Sequence, residues 1–128
     1  LQIGTAAYSD PPMQAMSAVT LSEGDVVVAI SQSGRTSNLL HSVKTAQENG
    51  AKVISLSPAN TPLAKLSDLP VNINIEEDTD LYTPMSSRIV HLVIIDILAI
   101  AVARARGPEF SEHLSRIKQS VKKLRDDL

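Results

Sequence analysis

Residues Val26-Val27-Val28-Ala29-Ile30 form an unbroken apolar run, opened by the turn Glu23-Gly24-Asp25 and closed by Ser31-Gln32-Ser33-Gly34-Arg35-Thr36. A short run of this kind, rich in β-branched residues and lacking polar alternation, reads as a strand covered on both faces, as strands of parallel sheets are. The residues that follow narrow the choice further. Leu39, Leu40, Val43 and Ala46 share one face of a helix from about Thr36 to Asn49, and Asn49-Gly50 supplies the left-handed residue that ends such a helix. Val53 to Ser57 then reads as a strand, Thr61 to Leu66 as a short helix, and Val71 to Ile75, after Pro70, as another strand. Strand, helix, strand, helix, strand is the rhythm of an α/β fold with a mostly parallel sheet.

The flanks are less regular. Ile3 to Tyr8 reads as a short strand, Asp10-Pro11-Pro12 as a helix entry with a proline in the first turn, and Met13 to Val19 as a short helix. The last third is helical, from about Ser87 to Arg106 and, after Gly107-Pro108, from about Glu109 to Leu128. The first of these helices is apolar nearly all round and calls for cover on several sides, from the sheet and from a partner subunit. In the second, Phe110, Leu114, Ile117, Val121, Leu124 and Leu128 form a narrow seam suited to packing on one helix.

Composition sets the class. With 128 residues, 43% hydrophobic and 20% charged, the chain is expected to be one globular domain, and aromatics at 2% leave an aliphatic core. A formal charge of −2 gives no cationic surface for a phosphate backbone, so this segment alone is not expected to bind DNA. The absence of cysteine excludes disulfides and thiolate metal sites and fits the cytoplasm. The longest apolar stretch, Ile89 to Ala103, is shorter than a bilayer span and contains His91 and Asp96, so it reads as a buried helix rather than an anchor. No secretory signal opens the chain, and Leu1 in place of Met is what a fragment would show.

The loop Ser31–Thr36 carries the chemistry. It joins an apolar strand to an amphipathic helix, so its amides lie at a helix N-terminus, where unpaired N–H groups and the helix dipole favour an anion. The hydroxyls of Ser31, Ser33 and Thr36 and the amide of Gln32 are further donors, and Gly34 permits a positive φ or a close backbone approach. Arg35 either pairs with the anion or points to solvent. The same residue types also suit a plain tight turn and helix cap.

Ser31-Gln32-Ser33-Gly34-Arg35-Thr36 resembles the Ser-x-Ser-Gly-x-Thr signature of SIS (sugar isomerase) domains. The segment Glu77-Asp78-Thr79-Asp80-Leu81-Tyr82-Thr83-Pro84-Met85-Ser86-Ser87-Arg88, with Gly107-Pro108-Glu109-Phe110, resembles the RpiR family of bacterial transcription regulators. Within that family, Tyr8-Ser9-Asp10 and the C-terminal third are most similar to HexR-like members. The resemblance implies a three-layer sandwich with flavodoxin-like strand order, lacking its first strand in this chain, with residues 1–128 as one phosphosugar-binding domain. It further implies a sugar-phosphate ligand, 2-keto-3-deoxy-6-phosphogluconate in HexR-like members, and Ser31, Gln32, Ser33 and Thr36 as phosphate-binding positions. DNA would be bound only through a helix-turn-helix domain that this chain does not contain. In the implied 2-1-3-4-5 order the lacking strand would lie between Ile3–Tyr8 and Val26–Ile30, leaving a gap in mid-sheet and a half-built ligand crevice. The expected assembly is a homodimer or larger homo-oligomer, without membrane attachment, cofactor or enzymatic activity.

Glu76, Glu77, Asp78 and Asp80 form an acidic cluster after a strand, where Glu77 is the member placed to touch a sugar, although a solvated loop reads as well. His41, His91 and His113 show no metal-ligand spacing, so no metal is expected. Asp96 requires a hydrogen bond or an exposed position, and Arg88 either reaches an anion or pairs on the surface. The rival function is a sugar-phosphate ketose/aldose isomerase in which Glu77 or a histidine moves the proton. A dimerisation module that binds no ligand is a third reading.

Overall fold

The computed structural model describes residues 4–76 and 85–107, with 112, 115–119 and 122 beyond them. The chain divides into two compact units, Gly4–His91 and one that carries Leu92 onward. In the first unit the element order is α1 (Pro11–Thr20), β1 (Val26–Ile30), α2 (Ser37–Glu48), β2 (Lys52–Ser57), α3 (Pro62–Leu66) and β3 (Leu69–Asn72). A long helix, α4 (Ser86–Ala105), begins in this unit and continues into the second, where residues 115–119 are also helical.

The three described strands form one open parallel sheet in the order β1-β2-β3. Val28 lies opposite Ile54 and Ile54 opposite Leu69, so Val27, Ala29, Val53 and Ser55 share one face while Val26, Val28, Ile30, Ile54 and Leu56 share the other. The first face carries the larger cluster, and Leu56 is fully buried on the other. Ala29, Val43, Val53 and Leu63 are buried together, with Val27, Leu39, Leu40 and Leu66 packed against them, which seats α2 and α3 on the sheet. Full burial of each Val or Leu contributes about 1.5–3 kcal/mol. A second cluster, Ala18, Ala46 and Ala51, lets α1 pack closely along α2 through small side chains.

Local chemistry sets the boundaries. Asp10 caps α1 by accepting from Met13 N at 3.2 Å, and both Pro11 and Pro12 fit the first turn because no N–H is needed there. At the end of α2, Gly50 has φ +94°, Gly50 N donates to Gln47 O and Ala51 N to Ala46 O, the paired bonds of a Schellman ending. Asp68, in the link before β3, ties α2 and β2 together. Its carboxylate accepts from Lys52 Nζ (2.9 Å), Val53 N (2.9 Å) and Gln47 Nε2 (3.2 Å), and these donors, Lys52 first, hold its pKa at about 2.

Several expectations need correction. Of the strand expected from Ile3 to Tyr8, residues 4–8 form none: no described strand pairs with them and they are exposed, while Ile3 lies outside the described residues. The third strand runs from Leu69 to Asn72 rather than from Val71 to Ile75 and includes Pro70, which is tolerated because among the described residues β3 is an edge strand beside β2. One face of β1 is uncovered, contrary to a strand buried on both sides: Val26 is 59%, Val28 45% and Ile30 42% exposed. Nor is α4 covered all round within this chain. Ile89, Leu92, Val93, Ile97 and Ile100 are exposed, and only Ser87 and His91 are buried. By length and composition α4 could cross a membrane, a criterion that core helices of soluble proteins also meet. Of the expected second-helix seam, Ile117 is half-buried, while Phe110, Leu114, Val121, Leu124 and Leu128 lie outside the described residues.

Candidate functional site

The carboxyl ends of the parallel strands carry the polar loops, as in open α/β sheets generally. Beyond β1 lies Ser31–Thr36, beyond β2 the turn Pro58–Thr61, and beyond β3 the segment Ile73–Glu76. The first loop leaves the sheet one residue late, because Ser31 N still donates to Leu56 O at 3.0 Å.

Inside the loop the two serines are held by the backbone. Ser31 Oγ accepts from Gly34 N at 3.0 Å, and Ser33 Oγ accepts from Arg35 N at 3.2 Å. In both cases the oxygen is engaged as an acceptor, which leaves the hydroxyl proton available to another acceptor. Thr36 is the N-cap residue of α2, yet its side chain makes no capping bond. The helical ladder begins with Leu40 N donating to Thr36 O at 3.0 Å, so the amides of Ser37, Asn38 and Leu39 precede it. Ser31 is buried, Gln32 half-buried, and Ser33, Arg35 and Thr36 exposed. The loop thus presents hydroxyl and amide donors at the positive end of a helix that has no acidic residue in its first turn.

Gly34 is the pivot. Its φ is +61°, and a Cβ there would lie 2.5 Å from Thr61 Cβ and 2.9 Å from Thr61 Cγ2. Its carbonyl accepts from Leu63 N at 3.1 Å. Thr61 is itself buried: Oγ1 donates to Pro58 O at 2.8 Å and accepts from Ala64 N at 3.3 Å, capping α3. Ser57 Oγ lies 3.4 Å away and must be the donor in that contact, because the Thr61 proton is directed at Pro58. The turn between them holds Asn60 at φ +62°, and Ala59 N donates to the Asn74 side chain at 3.0 Å. Asn60, Thr61 and Asn74 were not singled out in the sequence. The signal for Thr61 was there in Thr61-Pro62, a cap followed by a proline at the first helical position.

Glu77, Asp78, Asp80 and His113 lie outside the described residues, and Glu76 is exposed. Among the described residues no group of acidic or histidine side chains could hold a metal. His41 is exposed, whereas His91 is buried and desolvation lowers its pKa. Asp96 meets its requirement by exposure on α4, and Arg35 and Arg88 are also exposed. Ser55 Oγ is buried on the covered face of β2 without a partner among the described residues.

An open parallel α/β unit with a hydroxyl-rich, donor-lined loop at the end of a strand defines a class of ligand-binding domain. Residues 4–101 match the SIS domain family, and the chain belongs to it. It is 46% identical over 121 residues to the HTH-type transcriptional regulator HexR of Escherichia coli K12, covering 94% of this chain and 42% of that protein. It is also 42% identical over 125 residues to the bifunctional protein glk of Burkholderia orbicola, covering 98% of this chain and 20% of that one. Among solved structures, the NanR protein of Vibrio vulnificus complexed with ManNAc-6P superposes with a TM-score of 0.75 at 27% identity, over 91% of this chain and 44% of that one. The chain therefore spans less than half the length of these proteins.

Proposed function

We propose that this chain is the phosphosugar-sensing effector domain of a transcription regulator of carbohydrate metabolism, working in the cytoplasm and without turnover of its ligand. The phosphate sits against Ser31, Gln32, Ser33, Gly34 and Thr36, with Glu77 as a further contact to the sugar. One observation carries this reading: the backbone fixes the Ser31 and Ser33 oxygens as acceptors, so that both protons, the Thr36 hydroxyl and the first amides of α2 remain as donors at one place. The likeness to HexR and to NanR bound to ManNAc-6P supports a sugar phosphate as the ligand class. Within that class the resemblance to HexR favours 2-keto-3-deoxy-6-phosphogluconate.

In this reading the ligand prefers one arrangement of a homodimer and so alters the operator affinity of a DNA-binding domain elsewhere in the protein. A preference of about 1–3 kcal/mol between the two arrangements is sufficient for such coupling. The exposed apolar side chains of α4 are the surface offered for self-association.

The test uses the full regulator, with operator binding measured while 2-keto-3-deoxy-6-phosphogluconate, ManNAc-6P and inorganic phosphate are titrated. Replacing Ser31 and Ser33 together by alanine is expected to abolish the response and leave operator affinity in the absence of ligand unchanged. A normal response from the double variant refutes the site. Conversion of a sugar phosphate by the wild-type protein would instead establish the isomerase reading.

A further inference from the structure

Gly34 is clamped at three points, and only one of them belongs to its own loop. Its N–H is held by Ser31 Oγ (3.0 Å), its carbonyl by Leu63 N (3.1 Å), and its α-carbon faces the Thr61 side chain so closely that no Cβ fits between them. The last two contacts come from the start of α3, and Thr61 organises that start. Its hydroxyl proton closes the turn on Pro58 O and its oxygen caps Ala64 N, an arrangement that aims the neighbouring Leu63 N–H at Gly34. Ser57 Oγ supports the same oxygen from inside β2. Thr61 is 5% exposed. These bonds give it a task other than ligand contact.

We infer that Thr61 is a positioning residue for the Ser31–Thr36 loop: through its bonds to Pro58 and Ala64 it holds the Leu63 amide on Gly34, and so sets the directions of the loop's anion-binding donors. The inference rests on reading that loop as an anion seat. It assigns the hydroxyl, rather than the methyl, as the group that matters. Serine keeps both bonds of Oγ1, whereas valine keeps the shape and loses both. Gly34 φ and the orientation of the Ser33 and Arg35 peptides depend on where its carbonyl is held, so an error at Thr61 is passed directly to the seat.

The experiment follows the loop amides by ¹H–¹⁵N spectroscopy on the full regulator while inorganic phosphate is added, for wild type, Thr61→Ser, Thr61→Val and Thr61→Ala. Melting curves run alongside separate affinity from stability. In the wild type, phosphate should move the amides between Gln32 and Leu39. Thr61→Ser should bind within about twofold of wild type, and Thr61→Val and Thr61→Ala about tenfold more weakly, roughly the equivalent of one lost hydrogen bond. The Gly34 amide of both weaker variants should be displaced before phosphate is added, a change that needs no ligand to be read. A purely structural Thr61 would lower the melting temperature and leave the affinity and the free Gly34 signal of the folded protein unchanged. That result overturns the inference while the anion seat stands. Wild-type loop amides that do not respond to phosphate overturn both.

Discussion

Replacing Gly34 by alanine isolates what the close approach of the Ser31–Thr36 loop to α3 contributes. Two costs add. An L-residue held at φ +61° is disfavoured by about 1–2 kcal/mol, because its Cβ crowds the backbone. The new methyl also falls 2.5 Å from Thr61 Cβ and 2.9 Å from Thr61 Cγ2, well inside the 3.5–4.0 Å or so of a comfortable carbon contact, and overpacking of this kind costs about 1–3 kcal/mol. Gly34→Ala should therefore lose about 2–5 kcal/mol, read as a fall in the urea midpoint at unchanged slope. Thr61 is the partner in the second cost alone, which makes a double-mutant cycle decisive. In a Thr61→Gly background the obstructing side chain is gone, and only the dihedral cost of about 1–2 kcal/mol should remain. A cost equal in the two backgrounds would mean that the loop does not rest on Thr61, and a cost near zero in wild type would refute the left-handed Gly34 as well.

Two further outcomes follow from buried or bridging polar groups. Asp68, with its pKa lowered to about 2 first by Lys52 and then by the Val53 amide and Gln47, binds its proton later in the folded chain than the ordinary value of 3.8. Its stabilisation is complete above that ordinary value and drains away as the pH falls towards 2, so Asp68→Asn should flatten the acid limb of the stability curve between those limits, measured by melting at stepped pH. An unaltered acid limb would show that the carboxylate is not engaged. Ser55→Ala should raise stability by about 1 kcal/mol, since it removes a hydroxyl buried without a partner; a loss of similar size would indicate a bound water on Oγ.

The parts of this fold that could be read from the chain are those set by near neighbours. The apolar run at β1, the spacing of Leu39, Leu40, Val43 and Ala46, and the Asn49-Gly50 ending predicted β1 and α2 to within a residue. The donor-rich nature of Ser31–Thr36 was legible for the same reason. Residues 4–8 failed as a strand because strand formation depends on a partner that local composition does not reveal. Pro70 reads as the boundary of β3, but it is allowed inside because among the described residues one side of that strand has no neighbour to bond. The clamp of Gly34 by Thr61 and Leu63 was hidden in the sequence. It joins positions distant along the chain, and nothing in the hexapeptide announces what lies beneath its glycine.

The engagement of the Ser31 and Ser33 oxygens by their own backbone has a chemical corollary for any phosphate monoester held there. A lining rich in hydroxyl and amide hydrogens favours the fully ionised form, because the doubly charged ester is the stronger acceptor for them. The second ionisation of a phosphate monoester falls near pH 6, so a phosphate monoester seated there would bind more tightly above that pH than below it. Sugars without the phosphate, and carboxylates too short to span the hydroxyls and the helix start together, would find the same hydrogens without the oxygens to fill them.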